Sequence, residues 1–229
     1  MSAGPQYLGV ADVIERRAIV DLTLPIAADA PHYPGDPAPQ CTAHCTIEQT
    51  GYRVTLLHMG SHQGTHIDAP SHYLEDGPTL EDIPLSTFIG PAVLVPIITD
   101  AGADTMIHPE HFLPFEEGIR RCRRVVYVTN WSQYVGTPHY YTACPELSLT
   151  AAQWLVERGV LLVGMDTPSP SLAAAEPVHR LLLGAGVVIL ESLTNLGSIP
   201  NSPFLLNAVP LRLSGCDGSP VRAVAWPLL

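Results

Sequence analysis

Two short apolar runs, VLLVGMD (160–166) and GVVILE (186–191), constrain this chain more than any other feature. Neither alternates between apolar and polar positions, so each reads as a strand covered on both faces, as in a parallel sheet. The residues 174–183 between them read as a helix. Strand, helix and strand in one sheet imply a right-handed parallel crossover. RVVYVTN (124–130) is a third buried strand. A helix starts near Thr150, with Gln153 three residues on as a capping-box signal, and stops at Gly159. The upstream half is β-rich: a strand over 18–26, a Pro- and Gly-rich loop over 29–39, an extended stretch over 52–68 and a strand over 91–97. The tail, 205–226, reads as a hairpin turning at Asp217 and Gly218. No repeat or low-complexity linker divides the pattern, so a single α/β domain over 1–229 is expected.

Only 14% of the residues are charged, well below the usual quarter. A surface so poor in charge is expected to be partly hidden in a homo-oligomer. The net charge is −11, and Arg120, Arg121, Arg123 and Arg124 form the one basic cluster. That cluster reads as a solvated segment ahead of a strand, and neither nucleic acid nor an anionic membrane is expected as a partner. No apolar run reaches the length of a transmembrane helix. The opening residues, 1–17, lack an apolar segment behind basic ones, so no secretory leader is expected. Cys41, Cys45, Cys122, Cys144 and Cys216 are an odd, scattered set that suits a reducing cytoplasm. Cys41 and Cys45 flank His44, but no second pair answers them at zinc-finger spacing, so they read as ordinary strand or loop residues.

The chemistry is concentrated in HQGTHIDAPSH (62–72). On a helix His62 and His66 would share a face and Asp68 would point away. On an extended chain His62, Gly64, His66 and Asp68 point the same way, and the glycine leaves the middle of that face empty. Two imidazoles and a carboxylate around a hollow suit a zinc, manganese or iron ion, and the carboxylate can bridge to a second. His72, past Pro70, is placed beside the ligands as a proton carrier. His58 shares the parity but reads as structural. In the second half Glu191 ends an apolar strand, where ligands gather in parallel sheets and where a carboxylate is costly to bury unpaired. Asp166, closing the preceding strand, is an equally placed rival, and His179 lies on the helix that feeds Glu191.

The motif HQGTHIDAPSH resembles the signature of the metal-dependent cyclase family, which includes bacterial kynurenine formamidase and isatin hydrolase. DLTLPI and YPGDP upstream, then FIGPAVLV, ERGVLLVGMDTPS, HRLLLGAGVVILE and LRLSGCDGSPVRAV, follow in the family's order, so the resemblance covers nearly the whole chain. It implies a compact α/β domain with a mixed, barrel-like β arrangement and flanking helices, of the swivelling β/β/α type. It implies that His62, His66 and Asp68 hold one zinc or manganese ion, that Asp68 bridges to a second held by His179 and Glu191, and that His72 is the acid/base. It leaves Asp166 in a supporting role, and it implies dimers or tetramers with sites near subunit contacts. Two departures bear on substrate. Tyr33 stands where kynurenine formamidases tend to carry Trp ahead of PGD, and the segment 131–148 is longer, with Trp131, Tyr134, Tyr140 and Tyr141 available to shape an aromatic pocket.

The expected activity is hydrolysis of an amide bond in a small aromatic substrate of the N-formylkynurenine kind, with Tyr33 as a substrate contact. Metal-activated water attacks the carbonyl, and His72 passes its proton to the departing nitrogen. Opening of an isatin-type cyclic amide or lactone, or a cyclase or dehydratase reaction, is the alternative on the same scaffold. A serine hydrolase would want Gly-x-Ser-x-Gly, which the sequence lacks. A non-catalytic binding protein would not keep His62, His66, Asp68 and His72 together.

Overall fold

The computed structural model describes residues 19–97, 105–200 and 202–227. The opening residues read for a leader lie outside them. Among the described residues the strands are β1 (Val20–Asp21), β2 (Gln40–Cys45), β3 (Val54–His58), β4 (His66–Asp68), β5 (Ile89–Pro96), β6 (Met106–Ile107), β7 (Arg124–Val128), β8 (Glu146–Leu147), β9 (Leu162–Met165), β10 (Val188–Glu191), β11 (Phe204–Asn207), β12 (Gly218–Pro220) and β13 (Val224–Pro227). Nine of them form one sheet in the order β1-β13-β11-β5-β7-β9-β10-β4-β12. β5, β7, β9 and β10 run parallel in its centre, and every other pairing in that sheet is antiparallel. This is the mixed, barrel-like sheet with flanking helices that the family resemblance implies.

The apolar runs fill both faces of the centre. Val125, Tyr127, Val163, Met165 and Ile189 pack with Ile119, Leu155 and Leu182 of the three crossover helices, Glu116–Cys122, Leu149–Glu157 and Ala175–Gly184. Val126, Leu162, Val188 and Leu190, of opposite parity, pack with Ile67, Leu193, Phe204 and Leu206 in the concavity of the curled sheet. Both parities are therefore apolar for one reason, the cover on each face. No helix among the described residues is long and apolar enough to cross a membrane.

Four local expectations are corrected. The strand expected over 18–26 is only the two residues of β1, because Leu24 N–H turns away from the sheet to bond the Thr65 hydroxyl at 2.9 Å. The extended stretch over 52–68 is broken between β3 and β4 by a loop in which Gly64 takes φ of 62°. The tail does not turn at Asp217 and Gly218. Its turn is at Ser214 and Gly215, and Gly218 opens β12, which pairs with β4. Arg124 is not solvated. It is buried, with its guanidinium donating to the carbonyls of Thr87 (3.0 Å), Cys122 (3.2 Å) and Ser86.

The helix expected near Thr150 begins at Leu149, and its cap is Ser148, whose hydroxyl accepts from Ala151 N–H at 3.1 Å. That bond satisfies one of the helix's orphan donors, and Ser148→Ala is expected to cost about 1 kcal/mol in urea unfolding. An unchanged midpoint would show that the cap contributes nothing here.

Candidate metal centre

β4 is three residues long and wholly buried between β10 and β12. Strand alternation sends His66 and Asp68 to one face and Ile67 to the other, into the core. The antiparallel register with β10 sets Glu191 opposite His66. His179 comes from the buried face of the helix Ala175–Gly184. His62 arrives differently, from the loop before β4. The non-ligand residues of the motif fix that loop: Gln63 Nε2 donates to Pro31 O at 2.8 Å, and Thr65 Oγ1 donates to Ser192 O at 2.6 Å. His62 and Asp68 therefore meet because the loop folds back, not because they alternate along one strand. Gly64 is needed for its backbone conformation, since an added Cβ would meet only Ile26 Cγ1 at 3.6 Å.

The result is a chain of close contacts. His62 Nδ1 lies 2.8 Å from Asp68 Oδ1, and His66 Nε2 lies 3.2 Å from the same oxygen. His66 Nε2 is also 3.4 Å from Glu191 Oε2. His179 Nε2 lies 3.3 Å from Glu191 Oε1 and 3.8 Å from Asp68 Oδ2. Among the described residues three groups of potential ligands occur: His62, His66 and Asp68, and Asp68, His179 and Glu191, which overlap at Asp68, and the less buried His62, His72 and Asp217. The fold thus brings together the five residues that the family resemblance names as ligands.

A divalent cation fits this cluster on three grounds. His66 Nδ1 donates to Gly64 O at 2.7 Å, and His179 Nδ1 donates to Ala175 O at 2.7 Å. A carbonyl can only accept, so both rings carry the proton on Nδ1 and turn a lone pair on Nε2 toward the carboxylates, the arrangement of metal-binding histidines. Asp68 and Glu191 are 1% and 5% exposed, and two carboxylates so far from water demand positive charge. Burial and the neighbouring Asp68 charge push the Glu191 pKa up, a conflict that a cation removes. The set of imidazole and carboxylate donors suits zinc or manganese.

Without a cation, protons do part of this work. Burial disfavours the charged form of His62, but Asp68 and Asp217 outweigh it and hold its pKa up to about 10. Asp68 is itself held well below the usual carboxylate range, its two histidines overcoming its burial. Burial lowers the His72 pKa, and His62 and His179 add to that against the opposing pull of Asp68 and Asp217, which favours the neutral imidazole.

His72 sits one short turn past β4, in the 3-10 segment Pro70–His72, with its ring 3.9 Å from that of His62 and tilted by 32°. It faces a cavity of about 400 Å³ whose walls include His62, His66, His179 and Glu191. Tyr33 and Tyr141 form an edge-to-face pair on that wall, with ring centroids 5.9 Å apart. Of the other aromatics of the 131–148 segment, Trp131 and Tyr140 are buried in a small cluster of their own and do not line the cavity. His58 lies exposed on β3, away from the cluster. Asp166 lies outside the cluster: its Oδ1 accepts from Thr129 N–H (2.9 Å) and Oγ1 (2.7 Å), tying β9 to the loop after β7. The residue that sequence reasoning missed is Asp217, whose Oδ2 lies 3.0 Å from His62 Nε2 and 3.5 Å from His72 Nδ1. Followed by glycine, it had read as a turn.

The Cyclase family model matches residues 20–171. Kynurenine formamidase of Salinibacter ruber is 32% identical over 90% of this chain and 96% of its own length. Among solved structures, isatin hydrolase A from Labrenzia aggregata, bound to benzyl benzoate, superimposes with a TM-score of 0.85 at 27% identity, over 95% of this chain and 97% of that one. A structure described as a potential metal-dependent hydrolase with cyclase activity gives a TM-score of 0.76 at 28% identity, over 93% and 99%.

The charge balance of the metal-free protein has a measurable consequence. The His62 pKa is raised in the folded state, so its stabilisation is complete below about 6.5 and is lost as pH climbs through about 10. Asp68 and Asp217 are lowered, so their stabilisation is present above about 3.8 and is lost as pH falls. Chelator-treated protein should therefore melt highest between roughly pH 4 and 6.5 and lose stability steadily toward pH 10. A flat melting temperature across the alkaline range would sink this reading of His62.

Proposed function

The chain belongs to the Cyclase family, and within it we propose that it opens the amide bond of a small aryl substrate of the N-formylkynurenine kind. It is a metal-dependent hydrolase. The observation that carries the proposal is the buried pair of ligand groups joined at Asp68, opening onto a cavity with His72 and an aromatic wall. The kynurenine formamidase relative supports an open-chain formamide. The likeness to isatin hydrolase A favours a second reading, in which the scissile amide is part of a ring.

A bound zinc or manganese ion would lower the pKa of water and polarise the carbonyl. We propose two ions, one for each ligand group. His72 takes a proton as the water oxygen bonds to the carbonyl carbon. It returns that proton to the nitrogen as the carbon–nitrogen bond breaks, so that formate and an arylamine leave. Tyr33 and Tyr141 hold the aryl ring. The free state of all five cysteines supports residence in a reducing compartment such as the cytoplasm.

The test is hydrolysis of N-formylkynurenine by chelated protein before and after addition of zinc or manganese. Turnover restored by metal is expected, and His72→Ala should keep the metal while losing roughly a hundredfold or more in kcat. Wild-type turnover in that variant would remove His72 from the reaction. Metal uptake with no formamidase turnover would move the substrate to cyclic amides.

We also propose that the protein is a homodimer joined through the β2–β3 hairpin. Among the described residues these strands pair only with each other, and Leu56 and Leu57, on opposite faces, are 58% and 56% exposed. A two-stranded ribbon is marginal alone in water, and a second copy would cover it. Light scattering should give a dimer that Leu56→Glu with Leu57→Glu converts to a monomer. A monomeric wild type would refute the hairpin contact.

A further inference from the structure

Asp217 stands just before β12, and its place is set by the sheet. Its carbonyl accepts from Ala69 N–H at 2.8 Å, and the next residue, Gly218, pairs with Asp68. The carboxylate is thereby carried to the edge of the motif. Its Oδ1 accepts from Ser61 Oγ at 2.9 Å. Its Oδ2 lies 3.0 Å from His62 Nε2 and 3.5 Å from His72 Nδ1. The two imidazoles lie 3.9 Å apart, tilted by 32°, and both face this oxygen, His62 at hydrogen-bond distance and His72 at ion-pair distance. Gly218 makes room for this, because a Cβ there would lie 2.6 Å from His62 Cε1.

The nitrogens of His62 are assigned by their surroundings. Nδ1 faces Asp68 and the cluster, while Nε2 faces away, toward Asp217. His66 and His179 face the cluster with Nε2 and hand Nδ1–H to a backbone carbonyl. His62 is turned the other way round, and the partner of its outward nitrogen is a side chain. A carboxylate accepting from the far nitrogen of a metal-binding histidine fixes the ring and makes it a better ligand.

We infer that Asp217 is a positioning residue shared by two histidines with different tasks. Its hydrogen bond holds His62 with Nδ1 turned to the cluster, and its charge 3.5 Å from His72 Nδ1 favours the Nδ1–H tautomer there, which leaves Nε2 as the proton acceptor. The task of His72 rests on the hydrolase reading above. The two orientations are properties of the protein whatever its substrate.

The experiment uses the full chain with zinc as the probe, in wild type, Asp217→Ala, Asp217→Asn and His72→Ala. Competition against a chromophoric chelator should show zinc binding weakened roughly 10- to 100-fold in both Asp217 variants and unchanged in His72→Ala. Imidazole nitrogen–proton correlation spectra of the zinc-loaded protein should show His72 as the Nδ1–H tautomer in wild type and lose that tautomer in Asp217→Asn. A structural role alone would move neither readout at constant melting temperature. Asp217→Asn keeps the size of the side chain, so the test stands if the alanine variant fails to fold. Either readout at its wild-type value overturns the sharing. A wild type that binds zinc and leaves N-formylkynurenine intact would remove the substrate reading, while both readouts still decide the role of Asp217.

Discussion

The burial of Asp68 and Glu191 on neighbouring strands is the constraint around which the site is built. Their strands pair antiparallel at the end of the parallel set, and neither side chain has more than a few per cent of its surface in water. Two carboxylates in that position are tolerable only with positive charge or donors on every side. His62, His66 and His179 supply them, from a loop, the same strand and a crossover helix. Glu191 is also the last residue of a parallel strand, so the charge sits at the carboxyl end of the sheet, where crossover connections leave an opening. Fold and site meet at this point: the insertion of β4 beside β10 both extends the sheet and creates the cluster.

The parallel centre was legible because its signal is local. Apolar residues on both parities mean cover on both faces, and 160–166 and 186–191 became β9 and β10 with a helix between them. The ends of the sheet were not legible. β1 is short because the main chain of Leu24 finds a better partner in Thr65, a residue distant in sequence. β12 takes its partner from the first half of the chain, and no pattern within 205–226 records that pairing. Arg124 read as solvated because its donors are satisfied by backbone carbonyls, which the composition of a segment does not reveal.

At the candidate site, the members of the cluster were legible, His179 and Glu191 through the family resemblance, while the geometry was not. His66 and Asp68 do alternate on a strand, as the spacing suggested. His62 joins them through a left-handed Gly64 and a loop held by Gln63 and Thr65, the residues between the ligands that carried no weight in the alternation argument. Glu191 and Asp166 stood level as strand-ending acids. Hydrogen bonds separate them, since Asp166 spends one oxygen on Thr129 while Glu191 faces two histidines. Asp217 was hidden because an Asp-Gly pair carries a strong local meaning. Here the glycine serves close approach to His62 instead of a turn.

The three histidines that face the buried carboxylates are not held with equal stiffness. His66 and His179 give their outer protons to main-chain carbonyls of the motif loop and of a helix, groups that move only with the backbone. His62 gives its outer proton to a carboxylate that is 43% exposed. The inner side of the cluster is thus set by the fold, and its outer side by one side chain in partial contact with water. His72 belongs to that outer side and lies against the same adjustable ring. Such a division suits a hydrolytic site: a stiff inner wall can hold charge in place, and a softer outer wall can adjust as a proton moves.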